Sequence, residues 1–218
     1  MATCRGLIRG GCLMIAIWVG CSPETLPAGS SEGPELPLVI FLGDSLTAGY
    51  GLSEEEAFPA LVAAQLVAAG KPARIVNAGV SGDTTAGGVS RLDWLLAQDP
   101  DAMVVELGAN DGLRGMALEE TEANLDGIVS RCLAAGAEVL LVGMKIPPSY
   151  GPEYSQGFET IFERLAEQHG VLLMPFLLDG VAADPDLNQA DGIHPNTRGH
   201  ERLAENVTPY LEELLGSR

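Results

Sequence analysis

Five apolar runs recur along the chain, separated by longer segments in which apolar residues repeat with a helical period. The runs are Leu38–Leu42, Arg74–Asn77, Ala102–Leu107, Val139–Gly143 and Val171–Pro175. Their apolar residues are nearly continuous, which is typical of strands buried on both faces of a sheet. Because strands alternate with helices, the pattern predicts an α/β fold in which helices cover both faces of a parallel sheet.

The predicted helices are bounded by residues that start or end helices. Pro59 lies in a first-turn position, and Gly136 and Gly170 follow later apolar stripes as C-caps. Pro209 lies within the last stripe and is expected to kink or break that helix. Cys132 falls on the apolar face of a predicted helix, so we expect a small core residue rather than a catalytic thiol.

The first residues do not follow this pattern. Arg5 and Arg9 precede an apolar segment, Cys12–Val19, that is too short to span a bilayer with ease. A basic start followed by a short apolar segment is typical of a secretory signal peptide, here residues 1–20. An N-terminal anchor or a disordered end is the alternative.

Cys21 follows the signal pattern directly. A small residue followed by cysteine resembles the lipobox of bacterial lipoproteins, in which the cysteine becomes the lipidated first residue, although Trp18 stands where that motif usually has leucine. We therefore expect an exported protein that is either periplasmic or attached to a membrane surface through Cys21. Residues 21–36 are rich in Pro, Gly, Ser and Glu and predict a flexible tether, which leaves residues 37–218 as a single domain.

Composition narrows the classes of partner. The 218-residue chain has 12 basic and 30 acidic residues and a formal net charge of −18. A strongly acidic surface repels phosphate backbones, so the chain is not expected to bind nucleic acid. The predicted domain contains no apolar run of about 18 residues, which argues against an integral membrane enzyme.

Polar residues with chemical potential follow three of the predicted strands. Ser45 follows the first strand, where a serine can expose its hydroxyl at the edge of the sheet. Gly79 ends the second strand, and a glycine lets a ligand approach the backbone N–H. Asn110 follows the third strand, and its amide can donate a hydrogen bond toward a developing negative charge. Each residue alone is equally consistent with an ordinary turn or helix cap.

Asp191 and His194 form a fourth motif ahead of the last helix. A carboxylate three residues before a histidine can reach Nδ1, set the tautomer and stabilise the imidazolium. Taken alone, the motif is also consistent with a surface ion pair. No cysteine or second histidine accompanies it, so no metal site is predicted, and His169 and His200 are expected on the surface. Because parallel sheets bind ligands at the carboxyl ends of their strands, the four motifs together predict a serine acyl-transfer site.

The motif set resembles the GDSL, or SGNH, hydrolases, and more narrowly their bacterial acyl-CoA thioesterase I, lysophospholipase and arylesterase subgroup. The resemblance rests on Gly43-Asp44-Ser45-Leu46, Gly79, residues 108–111 and Asp191–His194, and it extends over residues 37–215. It implies a three-layer α/β/α fold with a doubly wound, five-stranded parallel sheet of the flavodoxin-like type, without metal or cofactor. Ala109 departs from the glycine expected in this subgroup.

The resemblance also implies a role for each motif residue. Ser45 would be the nucleophile, His194 the base and later the acid, and Asp191 the residue that orients His194. The oxyanion donors would be the backbone N–H groups of Ser45 and Gly79 and the side-chain amide of Asn110. The implied reaction is hydrolysis of carboxylic esters or thioesters, such as aryl esters, acyl thioesters or lysophospholipids, through an acyl-enzyme.

The sequence says less about the substrate than about the reaction. Apolar residues near the strand ends are candidates to line an acyl groove, and packing in the core is their alternative role. They are Leu113, Ile146, Pro147 and Tyr150, with Met116, Pro148, Phe176, Leu177 and Leu178 as further candidates. We expect a monomer that acts on a small acyl ester or thioester.

Three other functions compete with this prediction. A carbohydrate acetyl esterase of the same superfamily is disfavoured by an aromatic content of only 5%. A non-catalytic binding lipoprotein is opposed by the intact motifs. A phosphohydrolase with Asp44 as nucleophile would require metal-binding carboxylates and a phosphate loop, and neither is evident in the sequence.

Overall fold

The computed structural model of the chain describes residues 36–216. The predicted signal peptide, the lipidation of Cys21 and nearly all of the predicted tether lie outside these residues. Within them, no helix combines the length and the hydropathy that crossing a bilayer requires.

The five predicted strands form one parallel sheet. In the order β2-β1-β3-β4-β5, they comprise β1 (Leu38–Gly43), β2 (Arg74–Gly79), β3 (Ala102–Glu106), β4 (Glu138–Val142) and β5 (Leu172–Met174). Gly43 of β1 lies opposite both Gly79 of β2 and Glu106 of β3, so these three strands end at the same edge of the sheet. The residues that follow these strands are therefore brought together.

Helices connect the strands and cover both faces of the sheet. They are α1 (Ser45–Ala48), α2 (Phe58–Ala68), α3 (Thr85–Leu96), α4 (Ala109–Leu113), α5 (Leu118–Ala134), α6 (Pro152–His169) and α7 (Thr197–Gly216). Helix α2 packs against α7, while α3 packs against α5 and α5 against α6. Because crossovers between parallel strands are right-handed, these two groups lie on opposite faces. The predicted three-layer α/β/α fold is confirmed.

The core lies between the sheet and its helices. All residues of β1 and β3 are buried, as expected for strands with near-continuous apolar sequence. Cys132 is also buried, and burial raises the pKa of its thiol to about 12, so the prediction of a core cysteine is confirmed.

Of the two outcomes expected at Pro209, a kink or a break in the last helix, the break does not occur. Helix α7 runs from Thr197 to Gly216 with Pro209 inside it. A proline within a helix costs about 3 kcal/mol. Four leucine and valine side chains of α7 are buried, and each fully buried side chain of this kind contributes roughly 1.5–3 kcal/mol, so their burial outweighs the cost. They are Leu203, Val207, Leu211 and Leu214.

The expectation that His200 lies on the surface is also wrong. Its side chain is buried at the contact between α7 and the start of α2. The backbone N–H of Phe58 donates to His200 Nδ1 at 3.0 Å, and the two rings stack with centroids 6.1 Å apart. The first N–H groups of a helix have no partner within the helix, so His200 satisfies one of those of α2.

Candidate active site

Ser45 begins helix α1 immediately after the central strand. Asp44 is the N-cap, and its Oδ1 accepts a hydrogen bond from the N–H of Leu46 at 3.0 Å. Gly43 has no room for a side chain, because a Cβ there would lie 2.0 Å from Thr47 Oγ1 and 2.7 Å from Glu106 Oε2. A close-packed glycine and a capping aspartate thus fix a sharp strand-to-helix turn, which we call the nucleophile turn (residues 43–47).

The structure brings Ser45, His194 and Asp191 together, although Ser45 and His194 are 149 positions apart in the chain. His194 Nε2 lies 3.0 Å from Ser45 Oγ, and His194 Nδ1 lies 2.7 Å from Asp191 Oδ2. Asp191 Oδ1 accepts the N–H groups of Ile193 and His194 at 2.9 and 3.0 Å.

Asp191 is held in its ionised form. Its hydrogen bond with the His194 ring, followed by those from the two backbone N–H groups, lowers its pKa to about 2. A carboxylate at Asp191 requires His194 to carry a proton on Nδ1. The lone pair of Nε2 is then available to accept the proton of the Ser45 hydroxyl.

Asn110 lies in the first turn of α4 and faces the nucleophile turn. Its Nδ2 donates to Asp44 Oδ2 at 3.0 Å. An amide nitrogen carries two hydrogens, so a second N–H remains for an acceptor near Ser45. The backbone N–H of Ser45 donates to no other residue within 36–216.

Gly79 does not offer the free N–H that the sequence-based prediction requires. Its N–H donates to Asn77 Oδ1 at 2.9 Å, and Asn77 Nδ2 in turn donates to the carbonyl of Thr47 at 2.8 Å. A Cβ on Gly79 would lie 2.2 Å from the backbone nitrogen of Ala48. A glycine is therefore needed at this position because α1 packs directly against it.

Gly82, three residues after Gly79, was not singled out from the sequence. It has a φ of +81°, and its N–H donates to no acceptor within the described part of the chain. Its carbonyl accepts a hydrogen bond from Arg114 at 2.9 Å, and Arg114 follows the helix that carries Asn110. The available sequence signal was a second glycine in the same loop, Ser81-Gly82.

The carboxyl groups of Asp44 and Glu106 are both buried at the nucleophile turn. The sequence analysis gave Asp44 a chemical role only in the competing phosphohydrolase function, and it gave Glu106 none. Glu106 Oε2 accepts the Thr47 hydroxyl at 2.8 Å and the N–H of Asp44 at 3.3 Å. Its Oε1 is buried and has no hydrogen-bond partner among the described residues. Burial and the nearby Asp44 carboxyl raise the Glu106 pKa well above its usual range, which favours the neutral acid. Burial also raises the Asp44 pKa, to about 6.

An apolar groove of about 420 Å³ is formed by residues that follow strands β3, β4 and β5. It is lined by the predicted Leu113, Ile146 and Pro147, and by Ala109 and Ile193, the neighbours of Asn110 and His194 in the chain. The further candidates Pro148, Phe176 and Leu178 also line it.

Three predicted groove residues lie elsewhere. Tyr150 stacks on Tyr154, and its hydroxyl donates to the carbonyl of Leu113 at 2.8 Å, so it contacts the groove wall from outside. Leu177 is part of the core, and Met116 is not among the lining residues. Residues 36–216 bring together no group of His, Cys, Asp and Glu side chains that could hold a metal ion.

A serine hydroxyl against a histidine that is held by a carboxylate is the arrangement of the serine hydrolases. Within that class, the chain belongs to the GDSL-like lipase/acylhydrolase family, whose model matches residues 41–202. This finding agrees with the resemblance seen in the sequence.

Named relatives and solved structures agree with this assignment. The esterase TesA of Pseudomonas aeruginosa is 41% identical over 213 residues, covering 97% of this chain and 100% of that protein. The thioesterase 1/protease 1/lysophospholipase L1 of Escherichia coli K12 is 40% identical over 178 residues, covering 81% and 84%. The structure of esterase EstA from Pseudoalteromonas sp., inhibited by monoethylphosphonate, superposes with a TM-score of 0.79 at 36% identity, covering 82% and 98%. The protein is a serine hydrolase that acts on ester bonds, and neither a carbohydrate esterase nor a binding lipoprotein is favoured.

Proposed function

We propose that Ser45, His194 and Asp191 hydrolyse small carboxylic esters and thioesters through an acyl-enzyme on Ser45. The observation that carries this proposal is the unbroken contact from Asp191 Oδ2 through His194 to Ser45 Oγ, at 2.7 and 3.0 Å. Both distances lie within hydrogen-bond reach, which proton transfer requires.

In the acylation step, His194 Nε2 accepts the hydroxyl proton as Ser45 Oγ attacks the carbonyl carbon of the substrate. Asp191 stabilises the imidazolium that forms. The oxyanion is bound by the N–H of Ser45 and the Nδ2 of Asn110, with the free N–H of Gly82 in place of Gly79. His194 then gives its proton to the oxygen of the departing alcohol, or to the sulfur of the departing thiol, and the acyl group remains on Ser45.

In the deacylation step, His194 takes a proton from water, which attacks the acyl carbonyl. The same donors bind the second oxyanion, and the proton returns to Ser45 Oγ as the carboxylic acid leaves. The balance is one water consumed for each ester or thioester cleaved.

The groove supports an acyl chain or aryl group as the recognised part of the substrate. Its lining is apolar apart from Lys145 and Asn188, and it includes Ala109 and Ile193, which precede Asn110 and His194 in the chain. Burial of apolar substrate surface is favourable by roughly 25 cal/mol per Å², so longer acyl chains gain affinity until the groove is full.

A phosphonate probe and a series of p-nitrophenyl esters test the proposal. We expect a covalent adduct on Ser45 that is absent in Ser45→Ala, and activity that depends on acyl-chain length. Leu178→Trp narrows the groove, so it should reduce activity on octanoate more than on acetate, which serves as the internal control. Labelling elsewhere than Ser45 would contradict the proposed nucleophile, and equal losses on both esters would contradict the groove.

We further propose that residues 1–20 direct export, that Cys21 carries a lipid which holds the enzyme at a membrane surface, and that the enzyme acts as a monomer. The basic start, the short apolar segment and the small residue before Cys21 support this proposal. Metabolic labelling with a fatty acid should mark the full chain but not Cys21→Ser. Incorporation that is unchanged in Cys21→Ser would refute lipidation at this residue, and elution as a dimer from a sizing column would refute the monomer.

A further inference from the structure

The side chain of Gln189 joins the loop that carries His194 to the segment that follows helix α1, which begins at Ser45. Its Nε2 donates to the carbonyl of Tyr50 at 2.7 Å and to the carbonyl of Pro195 at 3.0 Å. Its backbone N–H donates to the carbonyl of His194 at 2.8 Å, and its carbonyl accepts the N–H of Gly192 at 2.9 Å. Gln189 therefore contacts the backbone on both sides of the His194 side chain.

Tyr50, whose carbonyl accepts the hydrogen bond from Gln189, is itself hydrogen-bonded to Ser45. The N–H of Tyr50 donates to the carbonyl of Ser45 at 3.0 Å. The Tyr50 ring also lies against the His194 imidazole, with centroids 4.6 Å apart. A hydrogen-bonded path thus runs from Ser45 through Tyr50 and Gln189 to His194, separate from the contact between Ser45 Oγ and His194 Nε2.

Gly51 allows the Gln189 amide to reach this position. Its φ of +81° favours glycine, and a Cβ at residue 51 would lie 2.5 Å from Gln189 Oε1. The path therefore depends on the residue type at both ends: a side chain with two N–H donors on one loop and a residue without a side chain on the other.

We propose that Gln189 is a positioning residue that sets the distance and orientation of His194 relative to Ser45. The proposal rests on the roles proposed above for these two residues. The loop around His194 needs such support, because Asp191, Gly192 and Ile193 are exposed to solvent. Proton transfer depends steeply on geometry, and a displacement of about 1 Å can cost on the order of 100-fold in rate.

Gln189→Glu and Gln189→Ala test the role of the two N–H donors. A carboxylate of the same shape has no hydrogen to donate and would face two carbonyl oxygens. We expect both variants to slow phosphonate labelling of Ser45 and to lower kcat by about 10- to 100-fold. The loss should be the same for acetate and octanoate esters, because Gln189 does not line the groove.

Gly51→Ala perturbs the contact between Gln189 and Tyr50 from the segment that contains Tyr50. If the added Cβ acts by displacing the Gln189 amide, the double variant Gly51→Ala/Gln189→Ala should be no slower than the slower single variant. Fully additive losses would show that the two residues act independently and would overturn the proposed path. Circular dichroism and a thermal melt establish that each variant is folded, and the Gln189 variants decide the matter if Gly51→Ala is not.

Gln65→Ala is the matched control. Gln65 is also a half-buried glutamine with a long-range hydrogen bond, accepted from Thr208 at 2.6 Å, but it lies between α2 and α7. It should retain the wild-type labelling rate even where it lowers the melting temperature.

The outcomes separate this proposal from the proposed function. If wild-type Ser45 is labelled and the folded Gln189 variants are labelled equally fast, only the positioning role is overturned. A second outcome also overturns the positioning role: the loss in kcat disappears when the rate is divided by the number of active sites found by titration. Gln189 would then change only the fraction of molecules that are folded, and not the rate of each active site. If wild-type Ser45 is not labelled at all, the proposed nucleophile itself fails.

Discussion

Replacing Glu106 with glutamine tests whether the carboxyl beneath the nucleophile turn is neutral. Glutamine has the same shape, and its oxygen can accept both hydrogen bonds that Glu106 Oε2 now accepts, from Thr47 and Asp44. Its amide nitrogen would occupy the position of Oε1, which has no partner among the described residues. The substitution therefore removes the ability to ionise, and it also buries amide hydrogens that have no acceptor among the described residues, at a cost that does not depend on pH.

The magnitude follows from the direction of the Glu106 pKa. Burial raises this pKa in the folded chain well above the value near 4.5 of an ordinary glutamate. Between the two pKa values the unfolded chain ionises Glu106 and the folded chain does not, so stability falls by about 1.4 kcal/mol per pH unit from this residue alone. Glutamine does not ionise, so the Glu106→Gln variant does not lose this stability. Its free energy of unfolding should therefore rise relative to that of the wild type by about 1.4 kcal/mol per pH unit above about pH 4.5.

Urea unfolding followed by circular dichroism between pH 4 and pH 8 measures the difference. At pH 4 the variant should be the less stable by about 1–3 kcal/mol, the cost of its buried unpaired amide hydrogens, and the difference should shift in favour of the variant as the pH rises to 8. Glu163→Gln, at an exposed position of α6, supplies the baseline for exchanging a carboxyl for an amide. A stability difference that does not change with pH would refute a neutral Glu106.

Glu106→Leu separates the hydrogen bonds from the charge. It removes the acceptor of the Thr47 hydroxyl and of the Asp44 N–H, and a buried donor left unpaired costs about 1–3 kcal/mol. The loss should appear at every pH, and kcat should fall because the nucleophile turn is no longer held. Wild-type stability and kcat in Glu106→Leu would show that these hydrogen bonds are dispensable.

Three further changes probe the site and the fold. Asp191→Asn should lower kcat for p-nitrophenyl acetate on the order of 10⁴-fold without lowering the melting temperature, and a loss below tenfold would contradict its role. Asn110→Ala should lower kcat by about 10²–10³ with the fold intact, whereas near-parent turnover would remove it from the oxyanion site. Burial lowers the pKa of His200 to about 4 from 6.5, so the wild type should lose about 3 kcal/mol of stability as the pH falls from 6.5 to 4. Urea unfolding of His200→Gln should show a smaller loss, and equal losses would contradict a buried neutral His200.

The strands could be predicted from the sequence because they are buried on both faces. The predicted run Leu38–Leu42 and the observed β1, Leu38–Gly43, differ by one residue. The order β2-β1-β3-β4-β5 could not be derived from the runs, because apolar content does not specify which strands are neighbours. It is the order that places Gly43 between Gly79 and Glu106 and so brings the motif residues to one edge.

The oxyanion donors show where sequence reasoning fails. Gly79 and Gly82 lie in one block, and either glycine allows a ligand to approach the backbone. What separates them is whether the N–H is already bonded, and that depends on the side chain of Asn77, which folds back onto Gly79. No pattern of residue types specifies such a contact, so the choice required the structure.

The burial of His200 and Glu106, in contrast, could have been predicted from the sequence. His200 lies three residues before Leu203 and seven before Val207, so it falls on the apolar face of α7, where a histidine is buried with its neighbours. Glu106 is the only charged residue in the run Ala102–Leu107. A charge in an otherwise apolar strand is costly to bury, and an isolated buried carboxyl remains protonated instead.

The neutral state of Glu106 has a consequence for the charge around His194. Burial, and then the nearby Asp44 carboxyl, raise the pKa of Glu106, so the two groups do not readily ionise together. With the proton retained on Glu106, Asp44 ionises above about pH 6: burial raises its pKa, while its hydrogen bonds from Leu46 and Asn110 and the nearby His194 lower it. In the acylation step proposed above, an imidazolium at His194 would face two carboxylates, Asp191 at Nδ1 and Asp44 in the nucleophile turn. The buried glutamic acid therefore provides hydrogen bonds that shape the turn without adding a second negative charge beneath the serine, where it would oppose the developing oxyanion.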